Sequence, residues 1–191
     1  MIKGYNLRRF NAEKDMSGIY RVYSSYTEQY NLFSIANLNS EERFQKLFEQ
    51  KVYFNYNDFL IIEDTEQKFA GFLISYDFKP NDGHLKVMIY IEKDFRQNGM
   101  VGLASIEFLN ILFQYYNVSK IYTEVYAYNQ NSIEYQVNFG FTEECRFKDY
   151  RYFDGQYWDT IYYSISRDKF YIKYKGIIER FLSKKNAEIL R

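Results

Sequence analysis

The sequence predicts a mixed α/β (α+β) domain whose sheet is mainly antiparallel, and three observations support this class. Two pairs of strand-like segments flank short polar turns, as hairpins do. A strand, a long apolar helix and another strand follow one another once, which is the order of a parallel crossover. Two helical patterns precede the first hairpin, and 191 residues suffice for one compact core.

The first part of the chain predicts a strand and two helices. Residues 5–10 form the opening strand, and residues 11–15 supply turn and capping chemistry for the first helix. The apolar face of that helix consists of Met16, Ile19, Tyr20 and Tyr23. A second helix begins where Asn39 or Ser40 caps it and runs to about Gln50. Its apolar face consists of Phe44, Leu47 and Phe48.

The period of the apolar residues then changes to that of strands. Residues 58–62 and 69–78 predict a hairpin around the polar turn at 64–68. The only proline opens the turn Pro80-Asn81-Asp82-Gly83, after which residues 84–91 form the next strand.

The crossover unit and a closing hairpin follow. A helix over residues 99–117 leads into a strand over 120–127, which completes the unit. A shorter helix over 131–139 ends at Gly140, a residue that tolerates the left-handed conformation after a helix. Segments 141–152 and 156–166 form the closing hairpin, because the Asp154-Gly155 pair between them is a type I′ turn signal.

The last segment predicts an amphipathic helix over residues 171–191. Its apolar face consists of Ile178, Phe181, Leu182 and Ile189. We expect residues 1–170 to form the main domain. The helix then either docks on this same unit or makes a dimer contact, so the protein is expected to be a monomer or a homodimer.

The overall charge and composition exclude several classes of partner. The 25 basic and 25 acidic side chains cancel, so no overall field draws nucleic acid or anionic membranes to the protein. Without a long apolar stretch or a signal peptide, we expect a cytoplasmic protein. The single cysteine, Cys145, has no neighbours with metal-ligand spacing. We expect it to be a half-buried strand residue, and we expect no metal.

A short polar and glycine-containing loop, Arg96-Gln97-Asn98-Gly99-Met100-Val101-Gly102, joins the central strand to the long helix. The start of a helix exposes unpaired backbone NH groups and the positive end of the helix dipole, and glycine lets a phosphate approach the main chain. The loop therefore predicts an anion site. A turn of this kind also occurs as a tight connection that binds nothing.

Together with Asn129-x-x-Ser132-Ile133 and Gly140-Phe141, this loop resembles the GNAT superfamily of acetyl-CoA-dependent N-acetyltransferases, especially its ribosomal-protein and amino-sugar branch. The resemblance covers residues 5–170. It implies acetyl-CoA as cosubstrate, lying in a central splay of the sheet. It implies that the pyrophosphate is bound by Arg96, Gln97, Asn98, Gly99, Val101 and Gly102, although Val101 replaces a smaller residue. It further implies that the backbone of Tyr90 and Ile91 holds the acetyl carbonyl and the pantetheine arm.

The resemblance also implies roles at the start of the short helix. Asn129 and Ser132 correspond to family residues on the cofactor side of the cleft. Asn131 is predicted to cap the helix, because it has capping-box spacing to Glu134.

Gln136 departs from the family pattern, since many members place there a tyrosine that protonates the CoA thiolate. Tyr135 is adjacent, but one helical residue is about 100° of rotation, so it is expected to point elsewhere. The Gln136 amide can donate a hydrogen bond to sulfur without giving up a proton.

Three residues are candidates for the general base that deprotonates the acceptor amine: His84, Glu92 and Glu124. A chain of water molecules is the alternative to a single base.

The acceptor is expected to be a primary amine, either small or at the end of a peptide. A nucleotide-linked amino sugar ranks first, a protein N-terminus second and a polyamine third. Aromatic residues are predicted to border the acceptor cleft: Tyr126, Tyr128, Tyr150, Tyr152, Tyr157 and Trp158. A catalytically silent CoA-binding module is one rival hypothesis, and Val101 and Gln136 are the residues that favour it. A glycan- or peptide-binding protein that binds no CoA is the other.

Overall fold

A seven-stranded sheet organises the protein in the computed structural model, which describes residues 4–25, 40–96 and 99–182. Its strands are β1 (Tyr5–Arg9), β2 (Tyr56–Asp64), β3 (Phe69–Lys79), β4 (His84–Ile91), β5 (Lys120–Tyr126), β6 (Thr142–Phe153) and β7 (Gln156–Ser166). They lie in the order β1-β2-β3-β4-β5-β7-β6, and only the neighbours β4 and β5 run parallel. The mixed, mainly antiparallel fold class is confirmed.

Helices cover both faces of this sheet. The described ranges contain the α-helices α1 (Ala12–Ser24), α2 (Glu41–Asn55), α3 (Met100–Tyr115), α4 (Gln130–Phe139) and α5 (Arg167–Ile177). A 3-10 turn, Lys93–Phe95, precedes α3, and a π-helical turn, Ile178–Leu182, follows α5. Asn11 and Ser40 cap α1 and α2 through their side-chain oxygens, as the sequence predicts.

Two apolar clusters hold these layers together, one on each face of the sheet. On one face, Phe44 and Phe48 of α2 pack with α1 and with Phe72 of β3. On the other face, α3 is buried along most of its length, and α5 adds Phe170 and Tyr174. Because β4 contributes side chains to both clusters, its backbone is held from both sides.

The structure corrects two predictions about α2. The helix extends beyond Gln50 to Asn55 and leads directly into β2. Leu47, predicted on the apolar face, is 40% exposed. It lies about 60° round the helix from Phe44, on the side away from Phe48, and therefore at the margin of the buried stripe.

The end of the chain and Cys145 also differ from expectation. The last helix begins at Arg167, not at residue 171, because Ser166 caps it by accepting a hydrogen bond from the backbone NH of Lys169. Of the predicted apolar face, Ile178 is half-buried, whereas Phe181, Leu182 and Ile189 have side chains outside the described part of the chain. Cys145 is exposed, because β6 is an edge strand whose side chains are mostly exposed.

Candidate active site

A cleft opens in the middle of the sheet, where β4 and β5 part. These strands pair only from His84 opposite Lys120 to Lys86 opposite Tyr122. Beyond that point β4 continues to pair with β3 as far as Ile91 opposite Gly71. The gap forms a cavity of about 560 Å³ between β4, β5 and the N-terminal ends of α3 and α4. The central splay that the family resemblance implies is therefore present.

The N-terminus of α3 borders this cavity and is suited to hold an anion. Gly99 adopts a left-handed conformation, with φ 76° and ψ −7°, and no side chain caps the helix there. The first NH groups of a helix have no partner within it, so the backbone NH groups of Val101 and Gly102 lack an intrahelical partner at this end. A Cβ atom on Gly102 would meet nothing within 4 Å, which leaves space for a group to approach the backbone. Val101 lines the same cavity and also packs against the core.

Arg96 adds a positive charge beside this helix start. Its Nε donates a hydrogen bond of 2.8 Å to the backbone carbonyl of Ile91, and its guanidinium lies 5.9 Å from the ring centroid of Tyr90. All three residues line the cavity. Gln97 and Asn98, which complete the predicted loop, lie outside the described residues.

The N-terminus of α4 faces the same cavity, so two helix dipoles place their positive ends there. Asn129 caps this helix, because its Oδ1 accepts a hydrogen bond of 3.1 Å from the NH of Ser132. The prediction that Asn131 is the cap was therefore wrong. Asn129, Asn131 and Ser132 all line the cavity.

Gln136 and Tyr135 both reach the cavity, but their polar groups differ in position. Gln136 is 7% exposed and lines the cavity on the side of α4. The ring of Tyr135 also borders the cavity, while its hydroxyl donates a 2.7 Å hydrogen bond to Ser105 of α3. Burial raises the pKa of Tyr135, and the hydrogen bond to Ser105 opposes that rise. The hydrogen bond fixes the hydroxyl between the two helices.

Of the three candidate bases, the structure brings only Glu124 into the cavity. His84 lies at the closed end of the splay, with its ring edge-on to Tyr122 at 5.4 Å. Glu92 forms an ion pair with Arg21 of α1 and lines a separate surface pocket.

Glu124 lies among tyrosines on the face of the sheet that α1 and α2 partly cover. Burial raises the pKa of Glu124, while its hydrogen bond with Tyr162 and the nearby charge of Lys86 oppose that rise. Burial also raises the pKa of Tyr76, and the Glu124 charge adds to this. Lys86 is itself paired with Asp77 at 3.3 Å. A carboxylate with a raised pKa in a partly enclosed site is suited to accept a proton near neutral pH.

Sequence reasoning missed the residues around Glu124. Tyr76, Lys86 and Tyr162 come from three other strands, and only the register of those strands brings them together. Of the predicted aromatic border, Tyr150, Tyr152 and Tyr157 are exposed, whereas Tyr126 and Tyr128 are buried and pack on each other. Trp158 packs against Tyr128 at 5.5 Å.

A split parallel strand pair, with a helix start at its mouth and a carboxylate within it, suits a group transferase that holds a phosphorylated cosubstrate. The family comparison makes this class specific. The acetyltransferase (GNAT) domain model matches residues 9–162, and the chain belongs to the GNAT family. It is an acetyl-CoA-dependent N-acetyltransferase, and the residues at the cavity mouth fit the phosphates of that cosubstrate.

Solved structures of N-acetyltransferases share the fold of this chain. The spermidine N-acetyltransferase from Vibrio cholerae in complex with CoA and spermine is 19% identical, with a TM-score of 0.78 over 87% of this chain and 97% of that one. A dodecameric structure of the V. cholerae enzyme in an intermediate state is also 19% identical, with a TM-score of 0.71 over 87% and 95% of the two chains. At this identity the likeness concerns the fold alone. No curated protein sequence matches the chain.

Within the three described ranges, no group of three or more His, Cys, Asp or Glu side chains is placed to hold a metal ion. No helix in the described part of the chain is long and apolar enough to cross a bilayer.

Proposed function

We propose that the cleft transfers the acetyl group of acetyl-CoA directly to a small primary amine, in a ternary complex without a covalent enzyme intermediate. The observation that carries this proposal is the parting of β4 from β5 after three residue pairs, which opens a cavity between a helix start without a side-chain cap and the half-buried carboxylate of Glu124.

In this proposal the mouth of the cleft binds the pyrophosphate. Backbone NH groups of Gly99, Val101 and Gly102 point to the anion, and the Arg96 guanidinium adds charge. Asn129 and Ser132 contact the cosubstrate from the α4 side. The same role stays a prediction for Gln97 and Asn98.

The backbone of Tyr90 and Ile91 lies deeper in the cleft and holds the acetyl carbonyl. An NH group aimed at that oxygen stabilises the negative charge that develops when an amine attacks.

Glu124 is the proposed general base. It accepts a proton from the acceptor ammonium, directly or through one water molecule, and its raised pKa suits that task at neutral pH. Gln136 donates a hydrogen bond to the departing sulfur and gives up no proton. A thiol with a pKa of about 8.5 leaves without strong acid assistance, so this arrangement permits turnover.

The amino-sugar acceptor receives no support from the comparisons. The V. cholerae enzyme binds spermine, but its 19% identity supports only the fold. We therefore propose a small primary amine whose ammonium group lies beside Glu124.

We also propose that the part of α5 beyond residue 170 belongs to the same unit as residues 1–170. Tyr174 supports this, because it is buried in the cluster that α3 and β5 share and its hydroxyl donates a hydrogen bond to the Phe139 carbonyl.

Calorimetry with coenzyme A, followed by thiol release from acetyl-CoA with a panel of amines, tests the proposal. We expect coenzyme A to bind in the calorimetry. In the second assay, we expect free thiol to be released from acetyl-CoA only when an amine acceptor is present. Binding without release on any amine would support the silent-module hypothesis instead. No binding of coenzyme A would refute the proposed site.

A further inference from the structure

Arg151 of β6 is a half-buried cation without a counter-ion. Among residues 4–25, 40–96 and 99–182, no carboxylate forms an ion pair with it, and its Nε atom is buried without a hydrogen-bond partner. Its guanidinium lies 5.1 Å from the ring centroid of Tyr126. Carboxylates are present on these strands, but Glu143 and Asp159 pair with Arg146 instead. Burying a charged donor without a partner is costly, so this arrangement indicates a partner that binds from outside.

The strand register places Arg151 on the same sheet face as Glu124. Directly opposed residues of an antiparallel pair project to one face, and alternate residues of a strand share a face. Arg151 is opposite Trp158, Tyr126 is opposite Thr160, and Glu124 is opposite Tyr162. Since residues 158, 160 and 162 alternate along β7, all these side chains lie on one face. Asp159 projects to the other face.

A second unpaired polar group lies between the two charges. The hydroxyl of Thr160 is fully buried and has no hydrogen-bond partner among the described residues. Tyr126, directly opposite Thr160, is within range of both charges. Burial raises the pKa of Tyr126, Arg151 opposes that rise and Glu124 adds to it. The face thus carries an anion-accepting guanidinium and a proton-accepting carboxylate, whose strand positions are four residues apart along β7, or ~13 Å.

We propose that Arg151 binds an anionic group, a carboxylate or a phosphate, on the acceptor whose ammonium lies at Glu124, with Thr160 as an additional hydrogen-bond donor. This inference rests on the proposed function and specifies its substrate class. The acceptor is then an amine that carries a negative charge several bonds away from its amino group. A polyamine would instead bring a second cation towards Arg151, which like-charge repulsion disfavours.

Paired acceptors that differ only in charge test the inference on the purified full chain. γ-Aminobutyrate is compared with butylamine and putrescine, and phosphoethanolamine with ethanolamine, by thiol release at saturating acetyl-CoA. We expect the anion-bearing member of at least one pair to have a kcat/KM about tenfold higher or more. The pair with the larger kcat/KM ratio shows whether the site prefers a carboxylate or a phosphate, and either preference supports the proposal. A preference for putrescine or butylamine would overturn it.

Substitutions of Arg151 test whether this residue causes the preference for anion-bearing amines. Arg151→Gln is expected to lower kcat/KM for the anion-bearing amines by roughly 10- to 100-fold and to change that for butylamine by less than about threefold. Arg151→Lys should retain part of the preference. The matched control is Arg146→Gln, on the same strand but paired on the other face, and it should leave the preference unchanged. Circular dichroism checks that each variant is folded.

Other outcomes of these assays would overturn the inference. An equal loss on every amine would give Arg151 a structural role. An increased KM for acetyl-CoA alone would assign it to the cosubstrate. If no amine releases thiol, the proposed function fails, and the anion site is then judged by calorimetry of γ-aminobutyrate and phosphoethanolamine with coenzyme A present. Binding that Arg151→Gln abolishes would support the site; absent or unchanged binding would refute it.

Discussion

Replacing Glu124 by glutamine separates its catalytic role from its effect on stability. Glutamine has nearly the same shape and can still hydrogen-bond with Tyr162, so the surrounding tyrosines keep their packing. It cannot accept a proton from an ammonium group. General-base catalysis contributes about 10²- to 10⁴-fold, so we expect Glu124→Gln to lower kcat by roughly 100-fold or more, with the KM for acetyl-CoA within about twofold of wild type.

The stability of the same variant is expected to change in the opposite direction. Because burial raises the pKa of Glu124, the folded protein binds this proton more tightly than the unfolded chain does. The wild type is therefore most stable below the unfolded pKa, and it loses stability as the pH rises from that value through the raised folded value. At neutral pH the charged carboxylate is destabilising. Glutamine removes that charge, so the free energy of unfolding should be equal or higher.

Two measurements check this reasoning. Steady-state thiol release between acid and neutral pH should show an acid limb in kcat/KM for the wild type, where protonation of Glu124 stops catalysis, and no such limb for the variant. Urea unfolding at neutral pH gives the stability. A kcat within about threefold of wild type would favour the water chain over a single base. A stability loss parallel to the kcat loss would show that the variant is merely misfolded.

Three more changes test other parts of the molecule. Gly102→Ala should increase the free energy of unfolding by about 0.5 kcal/mol, because alanine is the better helix former and its Cβ has space here. The same variant should raise the KM for acetyl-CoA, and an unchanged KM would contradict the phosphate contact. Gln136→Tyr should raise kcat roughly three- to tenfold by supplying an acid to the leaving sulfur, and steady-state kinetics that give no gain would refute that geometry. Phe170→Ala should cost about 3–5 kcal/mol in urea unfolding with kcat unchanged, whereas a loss below about 1 kcal/mol would mean that α5 does not stabilise the core.

Features that depend on neighbouring residues in sequence were predictable. The bounds of β4, His84–Ile91, match the prediction, because a turn signal precedes the strand and the apolar run ends at Ile91. The closing hairpin turns at Asp154 and Gly155, whose φ angles of 51° and 82° suit the Asp-Gly pair.

Features that depend on distant strands were not predictable from one sequence. Nothing local indicates that β7 lies between β5 and β6, so the pairing of Glu124 with Tyr162 and the placement of Arg151 could not be foreseen. Even the cap of α4 was ambiguous, since two nearby asparagines satisfy the same rule. A turn before the helix, in which the NH of Asn129 donates a hydrogen bond to the carbonyl of Tyr126, places Asn129 at the N-cap position.

The cleft itself depends on a glycine that no motif marks. A Cβ atom at Gly71 of β3 would lie 2.2 Å from the carbonyl oxygen of Tyr90, far closer than atoms can approach. Only glycine therefore allows β4 to lie this close to β3 at Tyr90 and Ile91. β4 continues to pair with β3 as far as Ile91, after its pairing with β5 has ended at Lys86, and Arg96 contacts the same end of the strand through the Ile91 carbonyl. The strand thus has no β5 partner where the acetyl group is proposed to bind, and Tyr90 and Ile91 line the cavity there.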